Sequence, residues 1–214
     1  MRVGIVGSGL MGAKLGTIFS RTGHEVVFSY LRSEEKLKRV AHEAGGTAHA
    51  GTVREAAQDT DALLLAIHWS RLEDVLKQAG NLSGKVVLSC SLPMNRANTK
   101  LAIGITSSGA EELAKKVRRA LVVQAFNTVP SEVLFQVYES RQKSPRPSLV
   151  YCGDNKRAKA LAAELIRDVG FDPVDAGPLQ TARYTEPFAL LVAQLAYEGK
   201  QGPELAYRFE RFQT

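Results

Sequence analysis

The chain holds 214 residues, 44% hydrophobic and 23% charged, enough to close a sizeable core and ordinary for a soluble globular protein. No apolar run reaches the roughly 18 residues of a membrane helix, and Met1-Arg2 leads into a short hydrophobic strand without a signal-peptide pattern, so a cytoplasmic protein with no membrane partner is expected. The formal charge of +6 is dispersed rather than gathered in a stripe, which argues against a nucleic-acid binder, and two cysteines without C-x-x-C spacing exclude a disulfide framework.

Short apolar runs alternate with segments of helical period, which predicts β-α-β units and a mostly parallel sheet. Arg2–Val6 reads as a strand, Met11–Arg21 as a helix and Glu25–Ser29 as a second strand, with Gly23 making the return. Ser33–Ala44 is a charged amphipathic helix, followed by Gly45-Gly46 and a short strand near Thr47–His49. "DALLLAI", Asp61–Ile67, is the most apolar run and predicts a central strand buried on both faces. Lys85–Cys90 repeats the pattern. "SSGAEELAKKVRRA" then gives a helix feeding a strand at Leu121–Ala125, and Tyr138–Pro147 reads as a long mobile loop. A further β-α-β follows: Leu149–Cys152, a helix capped by Asp154 or Asn155 with Leu161, Leu165, Ile166 and Val169 on one stripe, and Phe171–Asp175. Thr181–Tyr197 closes the chain as a Leu- and Ala-rich helix. The expectation is a single α/β domain, a Rossmann-type doubly wound core over 1–130 with a C-terminal β-α-β and helical extension over 131–214.

"RVGIVGSGLMGAKLG" places Gly7, Gly9 and Gly12 as G-x-G-x-x-G between a strand and a helix. In that setting Gly7 makes the tight turn, Gly9 lets backbone approach a pyrophosphate, and Gly12 lets the helix pack on the strand. The helix N-terminus offers free N–H groups to phosphates. In "VVFSYLRSEEK" the end of the second strand lacks the acidic residue that would take a ribose hydroxyl. Ser29, Arg32, Ser33 and Lys36 stand there instead, which favours the 2′-phosphate of NADP(H) over NAD. Ser33 is equally suited to cap the next helix.

These stretches, with "VVQAFNTVPSEVL" and "VYCGDNKRAKALAAELIRDVGFDPVDAGPLQTAR", resemble the coenzyme F420-dependent NADP oxidoreductases and the related NADPH-binding domain of the STEAP metalloreductases. The resemblance implies NADPH along the carboxyl ends of the strands. It puts Ser8, Gly9, Leu10 and Met11 at the pyrophosphate and Ser29, Arg32, Ser33 and Lys36 at the 2′-phosphate. Ile67, His68 and Trp69, then Ser91 to Met94, then Asn127 to Pro130, would follow successive strands along the site. His68 stands where the family often has proline, and Asn127 where the deazaflavin-using members have histidine, an exchange that resembles the metalloreductases.

No triad, carboxylate pair or metal cluster is apparent, and His24, His42, His49 and His68 lack ligand spacing. Hydride transfer to F420, a flavin or a quinone-like ring needs little more than orientation and exclusion of water. Asn127 and His68 are the positioning candidates, with an Asx turn and a loop hydrogen bond as their respective alternatives. An NADP-dependent hydroxyacid or imine dehydrogenase and an NADPH-binding sensor or interaction module without turnover remain open. The relatives' usual dimeric state implies a homodimer, with Leu190, Leu191, Gln194, Leu195 and Tyr197 at the contact.

Overall fold

The computed structural model describes residues 1–212. Eight strands form one sheet: β1 (Arg2–Val6), β2 (Glu25–Ser29), β3 (His49–Ala50), β4 (Ala62–Leu65), β5 (Val86–Ser89), β6 (Leu121–Gln124), β7 (Ser148–Gly153) and β8 (Asp172–Asp175). Their order is β3-β2-β1-β4-β5-β6-β7-β8, every neighbouring pair parallel except β6 and β7. The doubly wound expectation is met, and "DALLLAI" supplies the buried strand beside β1. Strand order reverses between β1 and β4, which opens the crevice where such sheets bind ligands.

Helices α1 (Leu10–Arg21), α2 (Glu34–Ala44), α6 (Leu134–Glu139) and α7 (Lys156–Val169) cover one face. On the other lie α3 (Val53–Gln58), α4 (Leu72–Ala79), α5 (Gly109–Lys116) and the start of α8 (Ala182–Tyr197). Phe19, Phe28 and Phe126 fill the first layer, and Leu63, Val75 and Leu113 the second. In α7, Asn155 is the cap, accepting the Ala158 N–H at 3.0 Å. Leu165, Ile166 and Val169 are buried as predicted, whereas Leu161 is half-buried and Ala158 and Ala162 complete the stripe.

Several boundaries move for identifiable reasons. The third strand is only His49–Ala50, because its parallel register engages just Val27 and Phe28 of β2. Tyr138 belongs to α6 rather than to a loop. The helix α3 passed unread, although Thr52 and Glu55 spell a capping box: the Thr52 N–H donates to the Glu55 carboxylate at 2.6 Å and the Glu55 N–H to the Thr52 hydroxyl at 3.2 Å. The β-α-β of β7, α7 and β8 is parallel internally but joins the main sheet through the antiparallel β6–β7 pair.

Candidate functional site

The glycine loop is built as its spacing demands. Gly7 has φ +98°, and a β-carbon there would sit 2.3 Å from the Ala66 carbonyl oxygen; one on Gly12 would sit 2.0 Å from the Gly7 oxygen. These two glycines are fixed by backbone contact. Gly9 differs: it is exposed, its φ of −79° suits any residue, and no atom lies within 4 Å of where its β-carbon would be. It is the N-cap of α1 without a side-chain cap, so the first N–H groups of that helix face open space. That is the arrangement a pyrophosphate needs.

Two cavities adjoin at Ala66, Ile67 and His68. The first, about 430 Å³, runs from Gly7 and Gly9 to Tyr30, Leu31 and Arg32, and across to Arg71. The second, about 330 Å³, is walled by Leu10, Met11, Ser91, Met94, Asn127 and Pro130, with Ala189, Val192, Ala193 and Tyr197 of α8 closing it. The sequence-predicted residues Gly7, Gly9, Leu10, Met11, Arg32, Ile67, His68, Ser91, Asn127 and Pro130 are therefore brought to one continuous crevice.

Others are not on its walls. Ser29 is fully buried and donates its hydroxyl to the Ile5 carbonyl at 2.9 Å, while its own carbonyl accepts the Ser8 hydroxyl at 2.9 Å and the Gly7 N–H at 3.0 Å. The reading of Ser29 as a phosphate contact is corrected: Ser29 and Ser8 brace the glycine turn from beneath. Ser33 caps α2, accepting the Lys36 N–H at 3.3 Å, and both stand outside the cavity lining. Trp69 packs half-buried against the second core layer.

Among the described residues four non-glycine residues have positive φ, and three of them adjoin this crevice: Tyr30 (57°) lines it, Asn98 (55°) is bonded to His68, and Phe126 (65°) precedes Asn127. Such strain persists where surrounding structure holds it, commonly at functional sites. Phe126 is locked by its buried ring, edge-on to Phe19 at 6.2 Å, and the turn it makes delivers Asn127. Asn127 is 9% exposed, and neither atom of its amide has a partner. The Asx-turn alternative is thereby excluded, since the side chain makes no local hydrogen bond. Leaving such a group unsatisfied costs about 1–3 kcal/mol, which a ligand with a matching donor and acceptor recovers.

His68 has the opposite character. Its Nδ1 accepts the Ser70 N–H at 3.3 Å and contacts the Ser70 hydroxyl at 2.8 Å, so the ring proton sits on Nε2 and is donated to the Asn98 side-chain oxygen at 2.5 Å. The imidazole clasps its own turn to the loop carrying Asn98. Ser91 is similarly committed, donating to the Ile67 carbonyl at 2.8 Å. Burial pushes the Cys90 thiol, on the second cavity's wall, up to about 12; burial and the hydrogen bond to Glu132 do the same for Tyr197. Neither serves as a base at neutral pH. Among the described residues no group of three or more His, Cys, Asp or Glu could hold a metal, and no described helix is long and apolar enough to cross a membrane.

Sequence reasoning missed Tyr30 and Arg71 and the lining face of α8. Arg71 lies three residues beyond His68, in a turn without a recognisable motif; α8 is brought over the site only by the packing of the C-terminal segment.

Comparison with known proteins agrees with this architecture. Residues 2–93 match the family described as NADP oxidoreductase, coenzyme F420-dependent, so the resemblance read from the sequence is borne out. The metalloreductase STEAP3 of Rattus norvegicus is 29% identical over 192 residues, and the metalloreductase STEAP2 of Homo sapiens 28% over 188; each alignment covers 88% of this chain and 36% of the relative. The chain thus spans little more than a third of the length of these curated relatives. A solved structure assigned provisionally as an F420-dependent NADP-reductase, from Arthrobacter sp. FB24, superposes with a TM-score of 0.86 over 99% of this chain and 100% of that one at 21% identity. The reductive aminase of Aspergillus terreus in complex with NADPH superposes at 0.65 with 20% identity, over 90% of this chain and 60% of that one.

Proposed function

We propose, on the premise that residues 2–93 match the coenzyme F420-dependent NADP oxidoreductases, that this protein is an NADPH-dependent oxidoreductase. It passes a hydride between NADP(H) and a flat ring acceptor of the deazaflavin (F420), flavin or quinone type. The observation that carries the reading is the unsatisfied Asn127 amide, buried in a cavity continuous with the glycine loop. When bound, the dinucleotide supplies the two-electron chemistry. The protein's own part is placement: Gly9 and the α1 N-terminus hold the pyrophosphate, Arg32 holds the 2′-phosphate, and Asn127 bonds the nicotinamide carboxamide or its ribose.

The second cavity fits a planar acceptor. Ala189 and Ala193 leave a shallow wall on α8, while Leu10, Met11 and Val192 give the cavity apolar sides. Of the groups lining it, His68 has both ring nitrogens engaged by Ser70 and Asn98, and Tyr197 is bonded to Glu132, which suits transfer between two cofactor-type rings that need little proton traffic. A homodimer completes the reading: Leu191, Leu195 and Tyr197 of α8 are 54%, 55% and 57% exposed and share that helix with Gln194 and the half-buried Leu190.

The test is NADPH oxidation followed with F420, FMN, FAD and a quinone, beside a ketone and an imine. At least one ring acceptor should accelerate it. Acceleration by the ketone or imine alone would move the protein to the dehydrogenases, and no acceleration at all would make it an NADPH-binding module. Arg32→Ala should lower the NADPH-to-NADH affinity ratio roughly tenfold to a hundredfold, the loss of a charge-assisted contact.

A further inference from the structure

The first cavity is bounded by two exposed guanidinium groups. Arg32 arrives from the end of β2 and Arg71 from the turn after β4, and among the described residues neither side chain makes an ion pair or a hydrogen bond. Between them lie the apolar Leu31, Ala66 and Ile67. The two lips are tied together: Tyr30, held at φ 57°, donates its hydroxyl to Asp74 of α4 at 2.7 Å.

Each lip sets acidic groups near its arginine, Glu34 and Glu35 in the first turn of α2 and Asp74 in that of α4. On the β2 side, Arg32 adjoins the N-terminus of α2, capped by Ser33, a setting that welcomes a phosphate. On the β4 side stands Asp74, which accepts hydrogen bonds from Tyr30 and from Gln78 at 3.1 Å. Those bonds hold its carboxyl below the usual carboxylate range, so it is ionised at neutral pH. The Arg71 guanidinium acts on the same carboxylate, so the two charges partly offset each other and this lip attracts a phosphate dianion less than an unaccompanied guanidinium would. A neutral aromatic ring suits it better, and a guanidinium plane stacks well on one.

We propose that Arg71 supplies the second face of an adenine sandwich, the base lying between the Arg32 and Arg71 guanidinium planes. The inference rests on the nucleotide-binding reading and assigns the arginines different tasks. Arg32 also holds the 2′-phosphate and so discriminates NADPH from NADH, whereas Arg71 touches only the base common to both.

Titration calorimetry with NADPH, NADH and reduced nicotinamide mononucleotide, which lacks adenine, separates these roles. Arg71→Ala should weaken NADPH and NADH by the same factor, roughly threefold to thirtyfold, and leave the mononucleotide unchanged. Arg71→Tyr should restore both dinucleotides, because a flat ring replaces the guanidinium plane. Loss confined to NADPH would make Arg71 a phosphate ligand and overturn the sandwich. Equal affinity of Arg71→Ala and wild type for both dinucleotides would also overturn it while leaving the nucleotide site standing. A wild-type protein that binds none of the three would bring down both readings together.

Discussion

Replacing Gly9 by alanine separates a glycine kept for a ligand from one kept for the fold. At Gly9 the backbone is ordinary for an L-residue, φ −79° and ψ −158°, and the added methyl meets no atom within 4 Å. Alanine is the poorer N-cap by roughly half to 1 kcal/mol, and it gains about 0.4–1 kcal/mol by restricting the unfolded chain. The two nearly cancel, so the melting temperature of the free protein should hardly move. The methyl would, however, occupy the space through which a pyrophosphate reaches the α1 N–H groups. Losing one charge-assisted hydrogen bond costs about 1.5–3 kcal/mol, so NADPH affinity should fall roughly tenfold to a hundredfold. Gly12→Ala is the control, since its methyl would sit 2.0 Å from the Gly7 oxygen and should destabilise the free protein by about 1–3 kcal/mol or more. Thermal melts and calorimetric titration of both variants check this. A Gly9→Ala protein that binds NADPH like wild type would refute the placement of the pyrophosphate.

Asn127→Leu removes two unsatisfied buried polar atoms without changing the side chain's outline. The free protein should therefore be stabilised by about 1–2 kcal/mol while NADPH-dependent turnover falls; a lower melting temperature with turnover intact would contradict the assigned role. Burial pushes Cys90 and Cys152 each up to about 12, so at pH 8 about one thiol in ten thousand is ionised, and an alkylating reagent should modify neither until the protein unfolds. The sign follows from the same shifts. The unfolded chain releases these protons from about pH 8.5 upward while the folded state keeps them to about 12. Stability contributed below pH 8.5 should thus be lost through that window, as urea melts between pH 8 and 10.5 would record. Leu191→Glu combined with Leu195→Glu should yield a monomer in sedimentation velocity with the fold unchanged; a persistent dimer would place the contact elsewhere.

What the sequence disclosed is what local chemistry writes in a few adjacent residues. G-x-G-x-x-G between a strand and a helix is such a signal, because its glycines answer to the Gly7–Ala66 and Gly12–Gly7 approaches within one turn. The missing carboxylate after β2 is another, and Arg32 does line the crevice. Ser29 shows the limit of adjacency. It sits in the same tetrapeptide as Arg32, yet strand alternation turns it into the core, where its hydroxyl serves Ile5. Capping-box spacing at Thr52 and Glu55 was equally visible in principle, and its short helix escaped because a helix of six residues offers little hydrophobic period.

The features that escaped entirely are those assembled over long separations. Arg71 lines the same cavity as Arg32 only because β4 lies beside β1 and β1 beside β2, and α8 reaches the second cavity only because the C-terminal segment packs against α5. That packing has a specific polar anchor. The buried Glu186 of α8 accepts the Gly109 and Ala110 N–H groups at 2.9 and 3.1 Å and the Gln124 amide at 2.7 Å. Nearby, Arg183 grips Glu111 through two hydrogen bonds of 2.9 and 2.7 Å. The wall that Ala189 and Ala193 present to the second cavity thus begins one turn away from a carboxylate bound to a helix N-terminus. Under the proposed function, substitutions on this face of α8 should therefore shift acceptor preference while leaving NADPH affinity unchanged, which an acceptor panel beside calorimetry would check.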